Sequence, residues 1–425
     1  MIIDLKRYRF RRLMLPTIVK EIFQERKTIR KMFLDILIRK IGGKKEFKWK
    51  IPKIYYQYLK NGLRDKRQID DFKQDEIIKR VIIAYKKTKI IQKSVPVIYQ
   101  TGGEWENILD VYYKTLTNAL ENEDIKLLKQ IYSNIFRSEA SRGLGMVDIY
   151  WQLKKQKISY KLISDFVNLL QFKKPSSIKR NKKLYIYNFC HHLHIWKEYL
   201  GNKYKLNDLS FPLIGNPFGM EINSILIPFE TIRHHYYATR ILELLKKEDN
   251  SIICEIGGGF GGVAYHLIKK SERKKVKYID FDLPEMITIV SYFLMNAYPN
   301  KRFLLFGEDD LSNNVFDSYD IILMPNFELS KLRDRSINFF FNSMSLTEMD
   351  QETVEEYLKQ INRCCNKYFM HENHDDTHVY DYKKMKRHIQ MSKYDLQPEF
   401  FKKIYRFPDL WEADHYEYLY ERLDD

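Results

Sequence analysis

The spacing of apolar residues changes along this 425-residue chain. Over residues 1–41, Ile, Leu, Met and Phe recur every three or four positions among Lys and Arg, which predicts an amphipathic basic arm that ends at Gly42 and Gly43. Residues 45–100 alternate aromatic residues with Lys and predict mixed helix. Helical spacing returns over residues 105–170. The first half of the chain is therefore expected to be mainly helical.

The second half has a different pattern. A turn-rich segment at 211–219, FPLIGNPFG, is followed by a predicted helix over 230–245 and then by short apolar runs separated by helices. The runs are SIICEIG, KVKYIDFD, KRFLLFG, YDIILMP, INFFFNS and KYFMHEN. This alternation predicts an α/β fold with a mostly parallel, doubly wound sheet. We predict three parts: a basic arm and helical extension over 1–100, a helical domain over 101–229, and the sheet domain over 230–425.

Composition and cysteine spacing indicate the cellular compartment expected for this protein. Hydrophobic residues make up 44% of the chain, but no window approaches the ~18 to 20 apolar residues of a membrane span. The start lacks the apolar and small-residue pattern of a cleaved signal peptide. The four cysteines offer no CxxC spacing and no obvious disulfide framework, which favours a reducing cytoplasm. They are Cys190, Cys254, Cys364 and Cys365.

The net charge of +17 is concentrated at one end. Residues 1–50 hold sixteen Lys and Arg against five Asp and Glu, a net charge of +11. One interpretation is a solvated basic helix, and the other is a surface that meets anionic lipid or polyanions. Binding of nucleic acid is not expected, because the charge is not distributed along the sheet domain and no Asn/Asp-Pro-Pro-Tyr signature follows the INFFF run.

The first run of the sheet domain leads into CEIGGGFGG, which places five of the 16 glycines within six positions. A strand that ends in glycines and opens a helix leaves backbone N–H groups unpaired and lets a ligand approach the main chain. Gly257, Gly259 and Gly262 fit GxGxxG, a pattern shared by dinucleotide, flavin and S-adenosylmethionine sites. We expect Gly257, Gly259 and Gly261 to contact a nucleotide-like cofactor; a simple turn is the alternative.

Carboxylates near the glycines narrow the choice of cofactor. Glu255 precedes the first glycine by two residues, where it would repel a pyrophosphate but suit a ligand with an ammonium and a sulfonium. The next run ends about 25 residues after Gly257 in DFDLPE, where doubly wound folds place a carboxylate on ribose hydroxyls. Asp282 is preferred for this role and Asp280 is second, with a helix N-cap as the alternative for Asp282. An NAD-linked oxidoreductase is the lesser alternative.

EIGGGFGG, DLPE and FNSMSLTEMD, in this order and spacing, resemble a family of sugar O-methyltransferases, bacterial enzymes encoded with surface-polysaccharide genes. The resemblance covers roughly residues 100–425 and includes NIFRSEASRGL, GNPFG, RHHYYATRI, MPNFEL and EYLYER. It implies a Rossmann-like methyltransferase domain after a mainly helical N-terminal region, with S-adenosylmethionine as cofactor. Asn326 of MPNFEL is included among the cofactor-binding residues.

The same resemblance implies the acceptor: a hydroxyl of a glycan, of a nucleotide sugar or of a lipid-linked sugar. A basic arm over 1–41 would then hold a cytoplasmic enzyme at the inner face of the membrane. The DLP element also resembles plant small-molecule O-methyltransferases, so a small molecule of secondary metabolism is an alternative acceptor. A non-catalytic S-adenosylmethionine-binding protein is the alternative of another class.

Methyl transfer to a hydroxyl needs a group that orients the oxygen and accepts its proton. Asn342 and Glu348 follow the INFFF run and are candidates for this work, although Ser345 and Glu348 also fit a helix-capping box. His371, in HENH after the last apolar run, is a candidate base near neutral pH, and a solvated loop is its alternative.

Histidines outside these segments invite two further interpretations. The stretch RHHYY at 233–237, on the helix before the sheet, could close over the cofactor or line the acceptor pocket, and core-packed aromatics with one exposed histidine are the alternative. Its candidates for binding the acceptor are His234, His235 and Tyr236. His191, His192 and His194 stand beside Cys190, but side chains at i, i+1 and i+3 on a helix diverge, so no metal site is predicted.

Overall fold

The computed structural model describes residues 59–60, 70–102, 104–144, 177–271, 275–311, 315–375, 389–412 and 415–423. The predicted basic arm over 1–41 lies outside these residues, as do residues 145–170 of the second helical stretch.

The described part of the first half is mainly helical, as its spacing predicts. Its elements are α1 (Asp71–Gln92), α2 (Glu104–Ile108), a π-helical turn (Leu109–Tyr113), α3 (Lys114–Glu121), α4 (Ile125–Tyr132) and α5 (Ser177–Leu200). Helix α1 begins after Asp70, whose carboxylate accepts a hydrogen bond from the backbone N–H of Phe72 and caps the first turn. Three short strands from either side of these helices form a small antiparallel sheet: β1 (Leu59–Lys60), β2 (Gly219–Ile222) and β3 (Ile225–Ile227).

The second half contains an eight-stranded sheet in the order β10-β11-β9-β8-β4-β5-β7-β6. The strands are β4 (Asn250–Ile256), β5 (Lys275–Asp282), β6 (Phe303–Leu305), β7 (Ile321–Pro325), β8 (Ile337–Ser343), β9 (Cys365–His374), β10 (Phe401–Pro408) and β11 (His415–Arg422). The pairs among β4 to β9 are parallel, and β11 pairs antiparallel with both of its neighbours. Each of the six predicted apolar runs is one of the strands β4 to β9, so the predicted mostly parallel sheet is confirmed.

Helices cover both faces of this sheet. They are α6 (Thr231–Leu244), α7 (Gly262–Lys270), α8 (Pro284–Ala297), α9 (Val315–Ser318) and α10 (Gln351–Cys364). Alternate residues of one strand enter different cores: Phe339 and Phe341 belong to one buried cluster, and Phe340 belongs to the other. A strand buried on both faces is apolar on both, which is why Phe339, Phe340 and Phe341 follow one another without polar alternation. The fold is a doubly wound, Rossmann-like α/β domain preceded by a helical region.

The course of the chain opens a crevice beside the central strand β4. From β4 the chain moves to β5 on one side, continues to β6 and β7, and returns to β8 on the other side of β4. Ligands in open α/β sheets bind beyond the carboxyl ends of the strands at such a reversal. The glycine-rich loop after β4 and the turn after β8 therefore lie at the same edge of the sheet.

The helical region is joined to the sheet domain by polar contacts as well as by packing. Arg80 of α1 makes two hydrogen bonds of 2.8 and 2.9 Å with the carboxylate of Glu308. The hydroxyl of Tyr99 donates to Glu356 over 3.0 Å, and that of Thr353 donates to the carbonyl of Ile98 over 3.0 Å. The last two contacts hold Ile98 and Tyr99 against α10, the helix that follows the turn after β8. Within the described ranges, no helix combines the length and the apolar character needed to cross a membrane.

Candidate functional site

A cavity of about 310 Å³ lies at the carboxyl ends of β4, β5 and β8. This volume falls within the range of small-molecule sites. The sheet domain supplies the glycine loop and the ends of the strands, and the helical region supplies a second wall. Residues of that second wall are Gln100, Gly102, Trp105, Gly143 and Leu144.

The loop after β4 has a backbone that only glycine adopts easily. Gly257, Gly259 and Gly261 have φ values of +72°, +60° and +85°. A Cβ at Gly257 would also overlap the hydroxyl of Ser345. Gly257 and Gly259 line the cavity, whereas Gly261 does not; a Cβ there would approach Val290 of α8 at 2.7 Å. Gly261 thus shapes the loop and does not contact the cavity.

Two aspartates of β5 accept hydrogen bonds from backbone N–H groups of this loop. Asp282 lines the cavity and accepts hydrogen bonds from the backbone N–H groups of Gly259 at 3.0 Å and Leu283 at 2.7 Å. Leu283 is the residue that caps α8, so Asp282 is not its N-cap. Asp280 accepts from Gly258 at 3.1 Å, is fully buried, and does not line the cavity. Burial raises the pKa of Asp282 to about 7.

Glu255, at the end of β4, is a buried carboxylate in the cavity wall. One of its oxygens accepts a hydrogen bond of 2.6 Å from the hydroxyl of Tyr278. Burial raises the pKa of Glu255 to about 7, the hydrogen bond from Tyr278 lowers it, and the neighbouring Asp282 raises it further. A positively charged ligand group beside Glu255 would favour the ionised form.

Asn326 follows β7 and also lines the cavity. Its Nδ2 donates a 3.0 Å hydrogen bond to the carbonyl of Tyr99. Asn326 therefore borders the cavity and, through this hydrogen bond, links the end of β7 to the helical region.

Glu348 lies in the cavity wall and accepts a 2.8 Å hydrogen bond from the indole Nε1 of Trp105. The capping-box alternative is wrong, because Ser345 makes no side-chain cap bond. The Ser345 hydroxyl instead contacts the amide of Asn342 and lies 3.3 Å from the carbonyl of Ile256. Trp105, a residue of the helical wall, thus orients the carboxylate of Glu348 in the cavity wall.

Asn342 and His371 do not line the cavity. Asn342 is fully buried; its Nδ2 donates to the carbonyl of Ile256 over 2.8 Å, and its Oδ1 accepts from Asn373 over 2.8 Å. His371 is buried with its ring stacked on Tyr418 at 4.4 Å, and burial lowers its pKa to about 3. Asn342 therefore fixes the ends of β4 and β8, and the position of His371 does not support a role as the base.

Of the three residues expected on the acceptor side, only His234 lines the cavity. His235 is buried, accepts a 3.0 Å hydrogen bond from the indole of Trp196, and lies outside the cavity. Tyr236 is buried and donates to Glu417 over 3.2 Å. Successive residues of a helix diverge by about 100°, so three in a row cannot share one face.

Arg233, the first residue of the predicted stretch RHHYY, is buried in the cavity wall next to His234. Trp105 was not predicted as a site residue; it reaches Glu348 from more than two hundred positions away. No spacing pattern marks Trp105, because its partner is distant in the sequence.

His191, His192 and His194 all lie on α5. Among the residues that the structure describes, no group of three or more His, Cys, Asp or Glu side chains could hold a metal ion. His192 is buried between aromatic rings, 4.3 Å from Phe229 and 5.3 Å from Trp411, and burial lowers its pKa to about 3. It packs as a neutral core residue.

No protein-family model matches the chain, and no curated protein matches it either. Solved structures of methyltransferases are similar to about half of it. The magnesium protoporphyrin IX methyltransferase of Synechocystis PCC 6803, solved with S-adenosylmethionine, shows 9% identity and a TM-score of 0.30 over 45% of this chain and 81% of its own. Mitomycin 7-O-methyltransferase shows 9% identity and a TM-score of 0.31 over 46% of this chain and 56% of its own. An S-adenosylmethionine-dependent methyltransferase from Aquifex aeolicus shows 13% identity and a TM-score of 0.26 over 44% of this chain and 98% of its own. TM-scores this low carry no function over to this chain.

Proposed function

We propose that this chain is a S-adenosylmethionine-dependent O-methyltransferase that acts on a sugar hydroxyl of a bacterial surface glycan or its precursor. The observation that carries the proposal is the charge of the cavity. Four carboxylates line it against one guanidinium, that of Arg233. The carboxylates belong to Glu255, Asp282, Glu348 and Asp350. Such a wall favours a ligand with a sulfonium and an ammonium and disfavours the pyrophosphate of a dinucleotide.

The chain's residues fit the parts of this cofactor. Glu255 is placed to pair with the ammonium, and Asp282 to accept hydrogen bonds from ribose hydroxyls. Gly257 and Gly259, which have no Cβ, let the ligand approach the backbone. Asn326 borders the same space from the end of β7. When bound, S-adenosylmethionine supplies an electrophilic methyl group.

Glu348 is the residue that we assign to the acceptor hydroxyl. It lies in the cavity wall, and its bond to Trp105 holds the carboxylate in one orientation. A carboxylate is an acceptor-only group, so it can orient a hydroxyl and take its proton as the oxygen forms its new bond.

Two features support a sugar as the acceptor. The indole of Trp105 borders the cavity beside Glu348, and an aromatic surface next to a carboxylate suits a molecule with both C–H faces and hydroxyl groups. The acidic wall also disfavours a phosphate close to the reacting oxygen. Any phosphate of a nucleotide-linked or lipid-linked acceptor would therefore lie outside the cavity.

The first test is binding and the second is turnover. Calorimetry should show binding of S-adenosylmethionine and S-adenosylhomocysteine and no binding of NAD. Release of S-adenosylhomocysteine should then depend on an added acceptor, chosen from neutral sugars, nucleotide sugars and phenols. Methylation of phenols alone would favour a small-molecule enzyme. Binding of the cofactor without turnover on any acceptor, including surface glycan extracts, would favour a non-catalytic binding protein.

A further inference from the structure

Lys270 is the last residue of α7 and does not line the cavity. Its side chain is partly exposed, and its amine lies 3.1 Å from Nε2 of the buried His235 on α6. The ring of Tyr204 packs against the same amine, with Nζ 3.8 Å from the ring centroid. The protonation of Lys270 therefore depends on which nitrogen of His235 carries a proton.

The hydrogen bonds of His235 determine the position of that proton. Its Nδ1 accepts a 3.0 Å hydrogen bond from the indole of Trp196 on α5, and an indole N–H is a donor only. Nδ1 of His235 therefore has no proton of its own. Burial lowers the pKa of His235 to about 2, so the ring is neutral and its single N–H is on Nε2.

The Nε2–H of His235 needs an acceptor, and the atom beside it is Nζ of Lys270. An ammonium has three donors and no lone pair, whereas a neutral amine has a lone pair that accepts a hydrogen bond. Only the neutral amine lets Trp196, His235 and Lys270 keep their hydrogen bonds together. This chain of three side chains therefore favours Lys270 as a free amine.

The charges around Lys270 act in both directions. Its pKa is lowered to about 8, chiefly by burial, and Lys203 and Lys269 contribute to the lowering. Asp208 and Glu243 act in the opposite sense, as does the carboxyl end of helix α7. At neutral pH the free amine is thus a much larger fraction of Lys270 than of an exposed lysine with a pKa of about 10.4.

We propose that Lys270 is a modification site that takes a small activated acyl group, such as the acetyl group of an acyl phosphate or a thioester. Nζ forms a bond to the carbonyl carbon, the phosphate or thiolate leaves with its electron pair, and Nζ gives up a proton to water. An amine that is already neutral attacks directly, and its acylation removes no charge. The carbonyl oxygen of the new amide supplies an acceptor for the Nε2–H of His235.

Competitive labelling of the full-length protein tests the site. The protein is treated with a trace of light acetic anhydride, unfolded and labelled completely with the heavy reagent, and its peptides are compared by mass spectrometry. At neutral pH, Lys270 should be acetylated about tenfold or more faster than the exposed Lys402, with a midpoint near pH 8. Acetyl phosphate should show the same preference. A midpoint near that of Lys402, or no labelling of Lys270, would overturn the proposal.

Trp196→Phe tests the hydrogen-bond chain. Without the indole N–H, the proton of His235 can move to Nδ1 and Nε2 can accept from an ammonium, so labelling of Lys270 at neutral pH should fall about fivefold or more. The matched control is Trp411→Phe, a second buried tryptophan whose indole nitrogen has no hydrogen-bond partner among the described residues. This control should leave Lys270 unchanged. Unchanged labelling in Trp196→Phe, or an equal loss in both variants, would refute the chain.

The wild-type protein decides the question if Trp196→Phe does not fold in a thermal melt. Nitrogen NMR of the imidazole of His235 reports its tautomer, and a proton on Nδ1 would refute the chain. None of these measurements uses S-adenosylmethionine or a methyl acceptor, so their outcome is independent of the proposed function.

Discussion

The indole of Trp105 and the carboxylate of Glu348 are joined by a 2.8 Å hydrogen bond in the wall of the cavity. Trp105 belongs to the helical region and Glu348 to the turn after β8, so the candidate base is oriented by a residue from outside the sheet domain. A donor-only indole can hold a carboxylate without taking up its proton.

Glu348→Gln tests this candidate base. Glutamine can still accept the hydrogen bond from Trp105 but cannot take a proton, so turnover should fall by about 10² while affinity for S-adenosylhomocysteine stays within twofold. The measurement is single-turnover methyl transfer on an acceptor found in the screen, together with calorimetry. Full activity would limit Glu348 to orienting the acceptor. Trp105→Phe is the companion variant and should cause a smaller loss.

Asp282→Ala tests the ribose site. Ribose hydroxyls would lose their acceptor, and the backbone N–H groups of Gly259 and Leu283 would lose theirs, so affinity for S-adenosylhomocysteine should weaken about tenfold or more. Asp282→Asn keeps one acceptor oxygen and should weaken binding less. An unchanged dissociation constant in the alanine variant would remove Asp282 from the site.

Binding of the cofactor should depend on pH through Glu255. Burial raises the pKa of this carboxyl to about 7, and pairing with an ammonium requires the ionised form, so binding releases a proton at lower pH. Affinity should therefore fall as the pH drops from 7.0 to 5.5, by at most about tenfold per pH unit for this group. Calorimetry in buffers of different ionisation enthalpy measures the released protons.

Glu255→Gln is the control for that dependence. Asp282 has its pKa raised to about 7 by burial as well, so the variant should release fewer protons but not necessarily none. A wild-type affinity that is equal at pH 5.5 and 7.0 would contradict the pairing of Glu255 with an ammonium.

Gly262→Ala tests the close approach of His234 to α7. The added Cβ would overlap the imidazole, so the ring must move and the variant should lose about 1 to 3 kcal/mol of stability. Thermal melts measure the loss, and a wild-type melting temperature would show that His234 does not contact this position.

The basic arm is tested by liposome sedimentation, because residues 1–41 lie outside the described residues. Full-length protein should pellet with anionic vesicles at low salt and less so at high salt, since salt screens the attraction. A variant that lacks residues 1–45 should stay in the supernatant. Equal pelleting of both proteins, or of neither, would leave the arm as a solvated basic helix or an oligomer contact.

Local sequence patterns were sufficient to predict the six parallel strands of the sheet, but not the two antiparallel strands β10 and β11 that extend it. Strands β4 to β9 are buried runs separated by helices, and the glycines of the loop after β4 follow from the φ values that this turn needs. Glu255 and Asp282 could be placed in the cavity because the ends of parallel strands share one edge of the sheet.

The rest of the site depends on contacts between distant positions. Trp105 and Glu348 are 243 positions apart, so no periodicity links them. The motif HENH at the end of β9 contains two histidines and a carboxylate, but the ring of His371 stacks on Tyr418 because β11 adds a neighbouring strand there. Sequence spacing places a residue on a strand or helix, and tertiary packing decides which side chains reach a cavity.

Leu144 and Trp105 border the same cavity as Glu255, although they lie in the region before residue 230. A fragment that begins at residue 230 would keep every strand of the eight-stranded sheet and still lack one side of its own binding space. The unit that encloses the cavity is therefore larger than the sheet domain. Transplanting that domain alone into another protein would transfer the scaffold but not a closed pocket, and a ligand bound between the two regions would act as a tether that stabilises both.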